Sequence, residues 1–208
     1  MKALFIGGTG TISTAIVRRL VNELNWEVWL INRGNRMEAV PAGVKLIAAD
    51  INDEALVLEK LGDMTFDVVG EFIGFTRDQV ERDYRLFKGR TRQYIYISSA
   101  SAYHKPAASY VITEGTTLSN PLWQYSRDKI ACEEFLMKVY REEGFPVTIV
   151  RPSHTYDERS VPLGVRAKTA AGRSSSACAR ASPSSYRATA RPCGPSPSTP
   201  ISPWATPG

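Results

Sequence analysis

The sequence predicts an α/β chain built on a doubly wound parallel sheet, and three observations carry that expectation. A short unbroken apolar run, Ala3-Leu4-Phe5-Ile6, opens the chain, as suits a strand covered on both faces. A glycine turn, Gly7-Gly8-Thr9-Gly10, follows it and leads straight into a segment with helical apolar spacing. Further apolar strands then alternate with helical stretches as far as Val150, the pattern of repeated strand, helix, strand units. Right-handed crossovers place the carboxyl ends of such strands along one crevice, where ligands bind.

The first helix takes its apolar face from Ile12, Ala15, Ile16, Leu20 and Leu24. The turn before it reads as Gly7-x-x-Gly10-x-x-Ser13 or as Gly8-x-Gly10-x-x-Ser13. In either reading one glycine permits a sharp bend, another lets the main chain approach a pyrophosphate, and a small third residue lets helix and strand pack closely. Helix N–H groups then face the anion. Gly7, Gly10, Thr11, Ile12 and Ser13 are therefore candidate cofactor contacts, against the plainer reading of a glycine turn with no ligand.

Residues 27–31 form a second strand, which ends at Asn32-Arg33-Gly34-Asn35-Arg36. An acid at this place binds the ribose 2′-hydroxyl of NAD, whereas arginine accommodates the 2′-phosphate of NADP. The acid is absent, and Asn32, Arg33 and Arg36 stand there instead, so NADP is favoured with NAD as the alternative. Residues 44–48 give a third strand followed by Asp50 and Ile51, then a helix over 53–61 with Asn52 as its N-cap. A fourth strand over 66–72 carries Glu71 near its end, where a helix or turn contact is expected. A helix over 76–87 follows, with Arg77, Asp78, Glu81 and Arg85 on its wet side, and then a fifth strand over 93–97.

The fifth strand ends in Ser98-Ser99-Ala100-Ser101-Ala102-Tyr103, placing hydroxyls at the crevice. A helix from Tyr125 through Lys138 and a sixth strand at Val147–Val150 complete the pattern. Tyr125 and Lys129 are four apart and share a helix face. A phenol of ordinary pKa near 10 is a poor base at neutral pH, and a nearby ammonium favours its phenolate. Tyr-x-x-x-Lys alone is common, but its place after a serine-tipped strand makes it a candidate proton-transfer pair.

Taken together, Gly7-Gly8-Thr9-Gly10-x-Ile12-Ser13, Asp50-Ile51, the serine-rich tip, Thr113-Glu114, Tyr125-x-x-x-Lys129 and Arg151-Pro152-Ser153 resemble the extended short-chain dehydrogenase/reductase family, the NAD-dependent epimerases and dehydratases. The resemblance covers residues 1–165 and implies a Rossmann-like NAD(P)-binding domain there. It implies an oxidoreductase or isomerase acting on a nucleotide-sugar, or a similar alcohol or ketone, by hydride transfer. Under it, Ser99 and Tyr125 contact the substrate oxygen, Tyr125 is the acid/base, and Lys129 also holds the nicotinamide ribose. Tyr103 lines the substrate, Gly7, Gly10 and Ser13 surround the pyrophosphate, Asp50 and Ile51 the adenine, and Ser153 the nicotinamide. A homodimer is implied as well. His154, where many relatives have Asn, is read as structural.

Residues 166–208 are a different kind of sequence. From Ala167 onward there are nine Ser, nine Ala and seven Pro, and Ile201 is the sole Val, Ile, Leu, Met or Phe. Such a composition buries too little apolar surface to offset ordering, so a disordered tail is expected. Its bias is that of a G+C-rich gene read out of frame, an expectation that re-reading the coding DNA tests. The tail stands where the family's small C-terminal substrate domain belongs, so the expectation is cofactor binding with impaired turnover, or a non-catalytic NAD(P)-binding protein. The net charge of +5 belongs to the tail, which has five basic residues and no acid and leaves 21 of each sign before it. That balance argues against nucleic acid as a partner, including the RNA-binding relatives that the glycine loop also resembles. No membrane-length apolar run and no leader are visible, which gives a soluble, cytoplasmic expectation. Cys132, Cys178 and Cys193 lack metal-ligand spacing, so no metal is expected.

Overall fold

The computed structural model describes residues 1–34 and 40–156; Arg36 and the 166–208 tail lie outside the described residues. Six strands form one parallel sheet: β1 (Lys2–Ile6), β2 (Glu27–Asn32), β3 (Lys45–Ala48), β4 (Val68–Glu71), β5 (Tyr94–Ile97) and β6 (Val147–Val150). Their order is β3-β2-β1-β4-β5-β6, that of a Rossmann-like doubly wound sheet. The winding reverses between β1 and β4, which pair from Ala3 opposite Val68 to Ile6 opposite Glu71. The helices are α1 (Thr11–Asn22), α2 (Glu54–Leu61), α3 (Arg77–Phe87) and α4 (Gln124–Glu143).

Alternation along the strands divides the core in two. Leu4 and Ile6 join Ile31, Val69, Tyr94 and Tyr96 in the larger cluster, closed by Val57 and Leu61 of α2, Val80, Leu86 and Phe87 of α3, and Leu136 and Val139 of α4. Ala3 and Phe5 face the other way, with Val28, Leu30 and Val68, against Val17 of α1. At about 25 cal/mol per Å² of apolar surface buried, this two-sided coverage is the main force holding the sheet between its helical layers.

Several expectations need correction. The buried residues of α1 are Ser13 and Val17, whereas Ile16 is 37% exposed and Leu24, 51% exposed, lies past the helix end. The reason is the Ser13 hydroxyl, which accepts from the Gly10 amide at 2.9 Å and donates to the Gly7 carbonyl at 3.1 Å, turning this residue inward and rotating the helix. The N-cap of α2 is Asp53, whose carboxylate accepts from the Leu56 amide at 3.1 Å; Asn52 serves elsewhere. The final helix runs on past Lys138 to Glu143, where Gly144 ends it in the left-handed conformation at φ 69°.

Candidate functional site

The glycine turn has different demands at each position. Gly7 sits at φ +81°, and a Cβ there would meet Ile73 Cγ2 at 2.4 Å. At Gly8 a Cβ would meet Leu30 Cδ2 at 2.3 Å, so this glycine serves close packing against β2. Gly10 differs, because at φ −87° its missing Cβ would meet only Ser13 Oγ, at 3.5 Å. The protein itself does not require glycine at position 10, so the gap it leaves suits a ligand approaching the main chain. Ile12, in the first turn of α1, has no acceptor four residues back within the helix for its amide, the usual condition for anion binding.

Beside this turn lies a cavity of about 730 Å³ at the carboxyl ends of the strands. Its lining includes Gly7 and Gly10, Asn32 and Arg33 at the end of β2, Asp50 and Ile51 after β3, and Arg82 of α3. The volume falls in the range of small-molecule and cofactor sites. The side chain of Asn32 accepts from the Gly34 amide at 2.8 Å, while its Nδ2 is buried with no hydrogen-bond partner among the described residues. An unpaired buried donor on a cavity wall is unfavourable until an acceptor arrives. Asp50 Oδ1 accepts from both the main chain and side chain of Asn52, at 3.0 Å each, which fixes that wall. Arg82 is 5% exposed; its guanidinium donates to Asn52 Oδ1 at 2.6 Å and to Asp83 Oδ1 at 2.7 Å. The open face at Gly10, the unpaired amide of Asn32 and the size of the cavity all fit a dinucleotide.

Lys129, 2% exposed, stands by the ends of β4 and β5; neither it nor Tyr125 nor Ser99 is among the residues that line this cavity. Its Nζ donates to the carbonyls of Gly74, at 2.7 Å, and Ile97, at 2.8 Å, so the ammonium bridges the segments that leave β4 and β5. Burial pushes its pKa down to about 8. The ring centroid of Tyr125 lies 5.9 Å from the ammonium, and the ring leans on Phe75 and Trp123. Ser99 caps the short 3-10 turn Ala100–Ala102, its Oγ accepting from the Ser101 amide at 3.2 Å. The structure thus brings Tyr125 and Lys129 together and sets Ser99 at the tip of β5.

Other expected site residues are placed differently. Ser13 spends its hydroxyl within the loop, so it shapes the turn and does not face outward. Tyr103 is 8% exposed and its phenol accepts from Arg151 Nη1 at 3.2 Å, which makes it a packing residue of the tip. Ser153 and His154 are both exposed after β6. Glu71 makes the turn contact expected of it, accepting from the Ile73 amide.

Two supporting networks escaped the sequence reading. Arg151 holds Glu133 of α4 through both oxygens, with Nε at 3.0 Å from each and Nη2 at 2.6 Å from Oε2. Glu133 also accepts from Ser98 Oγ, tying the serine tip to α4 and β6. Arg82 and Asp83 form the second network, buried on a helix that reads as strongly polar. The signal available in each case was a charged residue at a core-facing helical position.

A family model of the NAD dependent epimerase/dehydratase family matches residues 3–175. A curated relative, UDP-glucose 4-epimerase of Lactobacillus helveticus, is 28% identical over 169 residues, covering 73% of this chain and 51% of its own. Among solved structures, a UDP-glucuronic acid 4-epimerase from Bacillus cereus in complex with NAD is 20% identical at a TM-score of 0.63, over 78% of this chain and 59% of that one. A dTDP-glucose 4,6-dehydratase from Bacillus anthracis in complex with NAD is 17% identical at a TM-score of 0.63, over 76% of this chain and 56% of that one. The chain therefore spans little more than half the length of these proteins. A fold in the 3-2-1-4-5-6 order, a glycine turn opening on a dinucleotide-sized cavity and a family match over most of the sequence lead to one conclusion: this chain belongs to the NAD dependent epimerase/dehydratase family.

Proposed function

We propose that this chain binds NADP or NAD in the crevice described and acts on a nucleotide-sugar or similar alcohol or ketone. The cavity of about 730 Å³ walled by the glycine turn, the end of β2 and the Asp50 segment carries this reading. Gly7, Gly10, Thr11 and Ile12 would hold the diphosphate, Asp50 and Ile51 the adenine, and Asn32 and Arg33 the ribose with any 2′-phosphate. The nicotinamide, when bound, supplies the hydride acceptor or donor. Tyr125 takes or gives the proton of the reacting hydroxyl at its Oη, while Ser99 Oγ orients the same oxygen. Lys129 supports both by placing a cation beside the phenol and keeping one donor direction beyond those used by Gly74 and Ile97. Arg33 on the cavity wall favours NADP, although the solved relatives named above carry NAD. From Ala167 onward Ile201 is the sole Val, Ile, Leu, Met or Phe, too little apolar surface to build a part that closes over a substrate, so the reading is cofactor binding with slow turnover.

The test is titration with NADPH and NADH, following nicotinamide fluorescence in the wild type and in Arg33→Ala. Tighter NADPH binding that weakens in the variant is expected. A preference for NADH that the substitution leaves alone overturns the choice of NADP, and no binding of either overturns the whole reading.

A further inference from the structure

Glu71 is the last residue of β4, in the middle of the sheet between Ile6 of β1 and Tyr96 of β5, and it is 0% exposed. One carboxyl oxygen accepts from the Ile73 amide, so the chain after β4 folds back around this side chain. The fit is close, since a Cβ on Gly74 would meet Glu71 Cγ at 3.0 Å. Two parts of the crevice hang on that turn. Ile73 packs where a Gly7 side chain would go, and the Gly74 carbonyl accepts from Lys129 at 2.7 Å and from the Tyr96 phenol at 3.1 Å.

The second oxygen of Glu71 accepts from no donor among the described residues, and the side chain it meets is Asp83. Asp83 is itself 0% exposed and already well supplied with donors. Its Oδ1 accepts from Arg82 Nε at 2.9 Å and Nη2 at 2.7 Å, and its Oδ2 from the Tyr94 phenol at 2.9 Å. Two buried carboxyls therefore share one arginine. With both ionised the second Glu71 oxygen would carry buried charge with no donor on it, whereas a single retained proton between the two carboxyls supplies the missing hydrogen bond. The proton belongs on Glu71, because every donor other than the Ile73 amide is directed at Asp83.

We propose that Glu71 is a positioning residue: its carboxyl keeps a proton, donates it to Asp83, and with its other oxygen holds the turn that frames both the glycine loop and Lys129. Burial and the charge of Asp83 both push the Glu71 carboxyl well above the usual carboxylate range. The folded chain then binds more protons than the unfolded one above the ordinary carboxyl range. Stability accordingly falls as pH rises, until Glu71 ionises in the folded state. Arg82, Tyr94, Tyr96 and Lys129 also face the dyad, and because all four are retained in Glu71→Gln, the difference between that variant and the wild type isolates Glu71.

The effect on the crevice rests on the cofactor reading above, but the retained proton does not. Infrared spectra of the full ligand-free chain at neutral pH should show a protonated-carboxyl band that Glu71→Gln removes. The melting temperature of Glu71→Gln, relative to wild type, should rise progressively with pH. A band untouched by the substitution, or parallel melting curves, overturns the retained proton. For the positioning role, Glu71→Leu should weaken NAD(P)H binding about tenfold, as expected for one buried hydrogen bond lost, while Glu71→Gln keeps wild-type affinity. Equal affinity in Glu71→Leu and wild type, or a tenfold loss in Glu71→Gln, overturns it. If Glu71→Leu does not fold, Glu71→Gln decides alone. If the wild type binds neither NADH nor NADPH, the cofactor reading fails and the positioning role falls with it, while the infrared and melting results still decide the proton.

Discussion

Lys129 is the residue at which burial and charge oppose each other most directly. Its pKa of about 8, below the ordinary lysine value, means that the unfolded chain binds more protons than the folded one between about pH 8 and 10.5. Its contribution to stability is flat below pH 8 and becomes more favourable as pH rises through that window. Function runs the other way. Loss of the ammonium removes the cation beside Tyr125, so turnover should fall above an apparent pKa near 8, read from the alkaline limb of the pH–rate profile. Under the proposed role of Tyr125 as the acid/base, Tyr125→Phe should lower kcat/KM by about 10²- to 10⁴-fold while nicotinamide binding persists. The Tyr125 and Lys129 pair was legible in the sequence because helical spacing alone brings residues four apart together. Glu133 and Asp83 were not, because a carboxylate on a helix reads as solvated until the distant Arg151 or Tyr94 that pairs with it is known.

At the level of elements, the strand, turn and helix at the start of the chain set up the clearest contrast. Gly7→Ala places a side chain at φ +81° against Ile73 and should lose about 1–3 kcal/mol in urea unfolding. Gly10→Ala meets only Ser13 Oγ and should lose about 1 kcal/mol or less, yet weaken cofactor binding sharply. The bond from Arg151 to Glu133 ties α4, the serine tip and β6 together, so Glu133→Gln should destabilise the fold by about 3 kcal/mol by leaving the arginine without its counter-charge. Element order was readable because apolar runs and helical spacing repeat along the chain. The rotation of α1 was not, since the loop bonds of Ser13 choose its buried face over the competing stripe through Ile16.

For the whole molecule, six parallel strands gather the glycine loop, the cavity and Lys129 along one edge. The family match covers most of the sequence, while the chain spans 51% of the length of its curated relative. Among the described residues no helix is long and apolar enough to cross a membrane, and no group of acidic, histidine or cysteine side chains is placed to hold a metal ion. Sequence alone carried the fold because alternation of strand and helix leaves few topologies. It did not carry the choice between NAD and NADP, for which Asn32 and Arg33 on the cavity wall are the candidates. Everything claimed for function depends on a dinucleotide lying over Gly10. Titration of the full chain with NADPH and NADH, beside Gly10→Ala at matched melting temperature, tests this most directly. Saturable nicotinamide fluorescence that the substitution abolishes is the expected result; a folded wild-type chain that binds neither nucleotide, or a Gly10→Ala variant that binds as well as wild type, would contradict it.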